Sequence, residues 1–184
     1  MMKPTITVLA ALALTAGFAQ DQTQTTGLAE APAVLEGVSP HGYWVPRGSV
    51  IAGGIWDLFY SDNLPMVVRS DGGGGMSAQL MVEGRLPVDP TALSLTVETH
   101  ATSPNIQQTV ALWDWNIGAW VMLGSDRVGN WDTPLEYLAP SDILRFSEAG
   151  TGRIQAAIGF RAVGPVATPL WQARIDSIYW TYGR

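Results

Sequence analysis

The chain has 184 residues, no cysteine, and sixteen carboxylates against ten basic side chains, a formal charge of -6. The missing cysteine excludes a thiol nucleophile, a cysteine-ligated zinc and a disulfide framework. The acidic balance speaks against nucleic acid as a partner, since such binders need a basic face.

Residues 1–19 read as a secretory signal. Lys3 supplies the positive start, and Ile6 to Phe18 is an apolar or small run. That run is shorter than the roughly 20 residues that span a bilayer. Gly17 and Ala19 are small residues at the -3 and -1 positions, which places cleavage after Ala19. The expected location is secreted, either extracellular or periplasmic. Lys3 is the only lysine, so the mature chain would carry nine arginines against sixteen carboxylates. Residues 20–40 contain no aromatic side chain and read as a disordered linker. Residues 41–184 form the expected domain, large enough to bury a core without staples. No later segment would anchor it in a membrane once the signal is cut.

From His41 onward the dominant period is two. Glycines at 72–75 mark a hairpin tip and not a phosphate loop, because neither Lys-Ser/Thr nor a helix follows. Ala78, Leu80, Val82, Gly84 and Leu86 alternate with Gln79, Glu83 and Arg85. Leu93, Leu95 and Val97 alternate with Ser94, Thr96 and Glu98. Such runs present one face to a core and the other to solvent.

Trp113-Asp114-Trp115-Asn116-Ile117-Gly118-Ala119-Trp120 signals a hairpin, since Asn and Gly tolerate the positive φ of a tight turn. A turn centred on Ile117-Gly118 would set Trp115 opposite Trp120. Thr133-Pro134-Leu135-Glu136 has the spacing of a capping box with proline at the first helical position, so one helical turn is expected there. A second short helix is expected within Ser141 to Glu148. Ile154, Ala156, Ile158, Phe160 and Ala162 define another strand, and Ile178 to Tyr182 ends the chain in strand pattern. Short strands separated by Gly, Pro and Asn indicate a sandwich or barrel.

The order of these segments resembles a known type of domain. Its marks are Gly53-Gly54 with Leu58 and Ser61-Asp62, Met66 to Arg69, and Leu93 to Glu98. Val110 to Asn116 with Gly118 and Trp120, Arg161-Ala162, and Ala173 to Trp180 complete it. The chain is similar to a recurrent domain of exported bacterial proteins and to jelly-roll, galactose-binding-like sandwiches that include carbohydrate-binding modules. The resemblance spans about Ser49 to Tyr182. It implies an all-β chain: a single antiparallel, jelly-roll-like sandwich of about eight to ten strands behind the signal and linker. It also implies that Asp176, in Ile175-Asp176-Ser177-Ile178, matches an aspartate that holds structural calcium in some such modules. The other calcium ligands of those modules have no match here. The competing reading makes Asp176 a buried strand acid bonded to loop backbone or paired with Arg161 or Arg174.

No catalytic residue stands out. There is no Gly-x-Ser-x-Gly elbow, and His41 and His100 lie far apart in sequence. Trp113, Trp115, Trp120 and Trp131 are the conspicuous chemistry. Exposed indoles stack on sugar rings while neighbours such as Asp114 and Asn116 meet hydroxyls. The bland alternative is that these tryptophans fill the core or pair across strands. The leading expectation is an exported, non-catalytic binding or surface-associated module with polysaccharide or cell-surface glycan as partner. The alternatives are a structural envelope or matrix protein contacting other exported proteins, and a polymer hydrolase.

Overall fold

The computed structural model describes residues 35–72, 76–87, 89–166 and 170–184. The signal, its cleavage site and most of the 20–40 stretch therefore lie outside the described residues, as do glycines 73–75. Eleven strands and two single 3-10 turns make up the described part, with no α-helix among the described residues. All ladders are antiparallel.

The strands are β1 (Leu35–Val38), β2 (Gly42–Arg47), β3 (Ser49–Ala52), β4 (Met66–Arg69), β5 (Met76–Arg85) and β6 (Ala92–Ala101). After them come β7 (Ile106–Asp114), β8 (Ala119–Val128), β9 (Thr133–Leu138), β10 (Arg153–Ala162) and β11 (Gln172–Gly183). They form two sheets. Sheet A runs β3-β4-β11-β6-β9, with β1 also paired to β11. Sheet B runs β2-β5-β10-β7-β8. The chain crosses between sheets at most connections, as a jelly roll does.

Period-two alternation fills the space between them. Leu80 and Val82 of β5, Val110 and Leu112 of β7, and Ile154, Ile158 and Phe160 of β10 point inward from sheet B. Leu95 and Val97 of β6 and Ile175, Ile178 and Trp180 of β11 meet them from sheet A. Gly84 makes room for a close inter-sheet contact, since a Cβ there would sit 2.5 Å from the Trp180 ring. A polar chain crosses the same core. Thr99 Oγ1 donates to Gln108 Oε1 (2.7 Å), and Gln108 Nε2 donates to the Tyr137 hydroxyl (3.0 Å). Burial holds that phenol strongly in its neutral form.

Three expectations change. Thr133–Leu138 is strand β9, paired with Ser94–Thr99 of β6, and not a helical turn. β9 ends sheet A, so Pro134 lacks no needed ladder donor, and alternation buries Tyr137 while Leu138 faces out. β4 belongs to sheet A and β5 to sheet B, so these two strands are not ladder partners. Strand pairing also begins at Leu35, inside the stretch read as linker: β1 lies on β11 with Leu35 opposite Gly183. Glu36 anchors β1 by accepting from the Tyr182 hydroxyl and from Arg184 Nη2. The second helix is a 3-10 turn at Ile143–Phe146.

Candidate functional site

The outer face of sheet B is built from the residues that alternate with the core. Their rows follow from the ladder register. Trp44 of β2 lies opposite Met81 of β5, Met81 opposite Ala157 of β10, Ala157 opposite Ala111 of β7, and Ala111 opposite Met122 of β8. Small side chains thus floor β10 and β7, Met81 stands on β5, and Trp44 and Met122 stand on the two edge strands. Gly159 extends the floor, with Gln79 and Thr109 beside it. The result is a depression of about 210 Å³ lined by Ala111, Ala157, Gly159, Gln79, Thr109, Trp120 and Met122. Met122 is 66% exposed, so the β8 rim is open to solvent, and Trp44, 40% exposed, stands beyond Met81 on the β2 edge.

One end of this face carries the tryptophan cluster. Asp114 lies opposite Ala119, which leaves residues 115–118 as the loop and puts Trp113 opposite Trp120. Trp115 is therefore not the cross-strand partner of Trp120. The cause is local. Asp114 Oδ1 accepts the N–H groups of Asn116 (2.9 Å) and Ile117 (3.2 Å), and Gly118 takes a φ of 63°. These bonds widen the turn to four residues. The Trp115 N–H donates to the Arg145 carbonyl (2.8 Å), which ties the loop to the neighbouring 3-10 turn. Trp113 still meets both neighbours edge-on, at 5.1 Å from Trp120 and 6.3 Å from Trp115 between centroids. The Arg153 guanidinium covers the Trp115 ring at 4.5 Å. Arg153 is in turn held by Glu148 (3.2 Å) and Glu83 (3.7 Å), and Gln155 Nε2 donates to Glu83 (2.8 Å).

The predicted site residues therefore separate. Trp113, Trp115 and Trp120 come together, all partly buried on the outward side of sheet B. Asn116 is exposed on the adjoining loop. Asp114 is corrected: it is fully buried on the core side, facing Arg145 Nη1 at 3.5 Å, and cannot touch a ligand. Val110, Leu112 and Asp114 share the inward face of β7, so its carboxylate serves the loop instead. Trp131 is 75% exposed but follows the far end of β8, away from the cluster. Trp44 was not among the predicted residues, because its place in the row depends on β2 pairing with β5 far along the chain.

Asp176 sits at a bulge between Ile175 and Ser177 of β11. It is buried, its Oδ2 accepts the Asn63 N–H (3.3 Å), and its Oδ1 has no partner. It makes no ion pair with Arg161 or Arg174. Burial pushes its pKa up, and the nearby carboxylates of Asp132, Glu98 and Asp62 push the same way against the Asn63 bond. Calcium wants six to eight oxygens. Among the described residues no three His, Asp or Glu side chains converge to hold a cation. Asp57 and Asp62, the loop acids nearest in kind, are occupied by the N–H groups of Gly54 and Leu64. The side chains present do not by themselves fit a calcium shell.

No protein-family model matches the chain, and no curated protein matches it in sequence. Solved structures do match in shape. A xylan-binding module, CBM15, is 14% identical and superposes with a TM-score of 0.51 over 82% of this chain and 97% of its own. TmCBM61, solved in complex with β-1,4-galactotriose, gives 0.47 at 13% identity, covering 77% and 89% of the two chains. A family 29 carbohydrate-binding module from Piromyces equi gives 0.46 at 10% identity, covering 83% and 93%. The likeness is one of fold. The chain is a jelly-roll-like β-sandwich.

Proposed function

We propose that this protein is an exported, non-catalytic saccharide-binding module whose binding surface is the outer face of sheet B. One observation carries the reading: a groove with a floor of Ala111, Ala157 and Gly159 beside a wall of Trp120 and Met122. Apolar surface with a few placed polar groups, here Gln79 and Thr109, suits the faces and hydroxyls of a sugar. The shape of a xylan-binding module supports the same reading at the level of fold. A binding role fits the carboxylates on that side better than hydrolysis does. Glycoside cleavage needs two free facing carboxyls, and Glu83 and Glu148 are committed to Gln155 and Arg153.

Isothermal titration against xylan, galactan and mannan oligosaccharides tests the proposal. Trp120→Ala and Met122→Ala each truncate the wall of the groove and should weaken binding by about 10–100-fold, the loss expected of an anchor side chain. Binding of no saccharide, or binding that both variants keep at full strength, would refute it. Export is tested by sequencing the N-terminus of the secreted protein, which should begin at Gln20. A second reading, a structural protein that contacts other exported proteins, draws on the solvent-facing Trp56, Tyr60, Trp131 and Leu138. It requires concentration-dependent association in light scattering.

A further inference from the structure

The opposite side of the sandwich holds a second set of polar groups. Arg174 of β11 and His100 of β6 are ladder partners, and both alternate with core residues, so both lie on the outer face of sheet A. With Asn130 and Ser103 they line a depression of about 440 Å³ beside the β6–β7 turn. Arg174 also borders a neighbouring depression of about 380 Å³ on its β4 side.

The hydrogen-bonding capacity of this pocket is unspent. Arg174 makes no ion pair and no side-chain hydrogen bond among the described residues, and its Nε is closed off from solvent. Four arginines elsewhere are paired with carboxylates: Arg47, Arg145, Arg153 and Arg184. Arg161 donates to Gln107. Arg69, Arg85 and Arg127 are exposed. Arg174 alone is both partly buried and unpaired. The Ser103 hydroxyl is buried without a partner as well. His100 Nδ1 lies 2.5 Å from Asp132 Oδ1. A buried donor left unsatisfied costs about 1–3 kcal/mol, and two such groups, Arg174 Nε and the Ser103 hydroxyl, line this pocket.

We infer that this pocket binds an oxyanion, with the Arg174 guanidinium as its principal donor. The planar guanidinium offers five N–H donors in a fork that matches carboxylate, sulfate or phosphate, and Ser103 and Asn130 add neutral donors. Two carboxylates on this side of the sandwich are already engaged. Asp132 is engaged by His100, and Glu98 accepts from Ser177 Oγ (3.1 Å). The contrast with the tryptophan end of sheet B is chemical: there Arg153 is met by Glu148 and Glu83, whereas here Arg174 has no carboxylate partner. Such a pocket accepts the acid group of a charged saccharide or a free inorganic anion.

The test is an NMR titration that follows the Arg174 Nε–H resonance, with oligogalacturonate, sulfate, phosphate and a neutral xylo-oligosaccharide as separate probes. The inference expects a saturable shift from at least one anion, weakened by added salt and absent with the neutral sugar. Arg174→Gln should weaken binding of that anion at least tenfold, and Arg174→Lys should recover only part of it. Trp120→Ala should leave it unchanged, so failure of the sheet B reading is separable from failure of this one. A melting curve shows that each variant is folded. Tighter binding of oligogalacturonate identifies a saccharide as the source of the anion, and equal or tighter binding of sulfate or phosphate identifies an inorganic ion. Absence of a saturable shift with every anion, or a shift that Arg174→Gln leaves intact in a folded variant, overturns the inference.

Discussion

The contact between Gly84 and Trp180 predicts a measurable penalty for the smallest substitution available. Gly84 lies on β5 and Trp180 on β11, so their contact spans the two sheets. A methyl group at Gly84 would sit 2.5 Å from Cζ3 and 2.9 Å from Cε3 of an indole that is fully buried. The ring has no solvent to retreat into, so Gly84→Ala must push the sheets apart or force the ring off its rotamer. Overpacking of this kind costs about 1–3 kcal/mol. Alanine recovers roughly 0.5–1 kcal/mol of backbone entropy in a strand. The net loss is about 0.5–2 kcal/mol, a fall in Tm of roughly 1–8 °C for a domain of this size. Calorimetry measures it directly. Trp180→Phe supplies the control: it opens space, so in the double variant the added methyl should cost less, with a coupling of about 0.5 kcal/mol or more. An unchanged or raised Tm for Gly84→Ala, or strict additivity in the cycle, would refute the argument.

Three further outcomes follow from other contacts. Asp114→Ala removes the acceptor for two loop N–H groups and the carboxylate facing Arg145, so it should cost about 2–3 kcal/mol in denaturant unfolding. Asp176 has a raised pKa in the folded protein, so the fold holds its proton more tightly than the unfolded chain. Its contribution is therefore favourable below the unfolded value and is lost as pH rises through the folded one. Asp176→Asn, which keeps an oxygen for the Asn63 N–H, should match the parent at low pH and melt above it at neutral pH. Calcium is checked in the same assay. With no converging set of acidic ligands at Asp176, millimolar calcium or chelator should leave Tm unmoved; a calcium-dependent rise abolished by Asp176→Asn would instead assign a bound ion.

Much of the architecture was legible because it depends on local alternation. β5, β6 and β10 coincide with the runs beginning near Ala78, Leu93 and Ile154. β9 was not legible: Thr133-Pro134-Leu135-Glu136 satisfies a helix-start rule, and its pairing with β6 outweighs that local preference. The register of the tryptophan hairpin slipped for a smaller reason. Asp114 accepts two backbone N–H groups with its side chain, which lengthens the loop and exchanges Trp115 for Trp113 opposite Trp120. The groove itself was only half visible. Trp120 stands out in the sequence, but its small floor and the Met122 beside it exist only once β5, β10, β7 and β8 are placed side by side. Arg174 and His100 were hidden in the same way, since nothing local announces that β6 and β11 pair.

The rung that sets Leu35 opposite Gly183 has a topological meaning. Where two distant points of a chain meet as neighbours on one ladder, the sandwich becomes a closed circuit of strands that can be opened elsewhere. Joining Leu35 to Gly183 through a short linker and cutting at the exposed 115–118 loop would give a permuted chain with every ladder intact. The same closeness suits the domain to lodging within a surface loop of another protein. Both connections would then leave from sheet A, and the groove on sheet B would stay open to solvent.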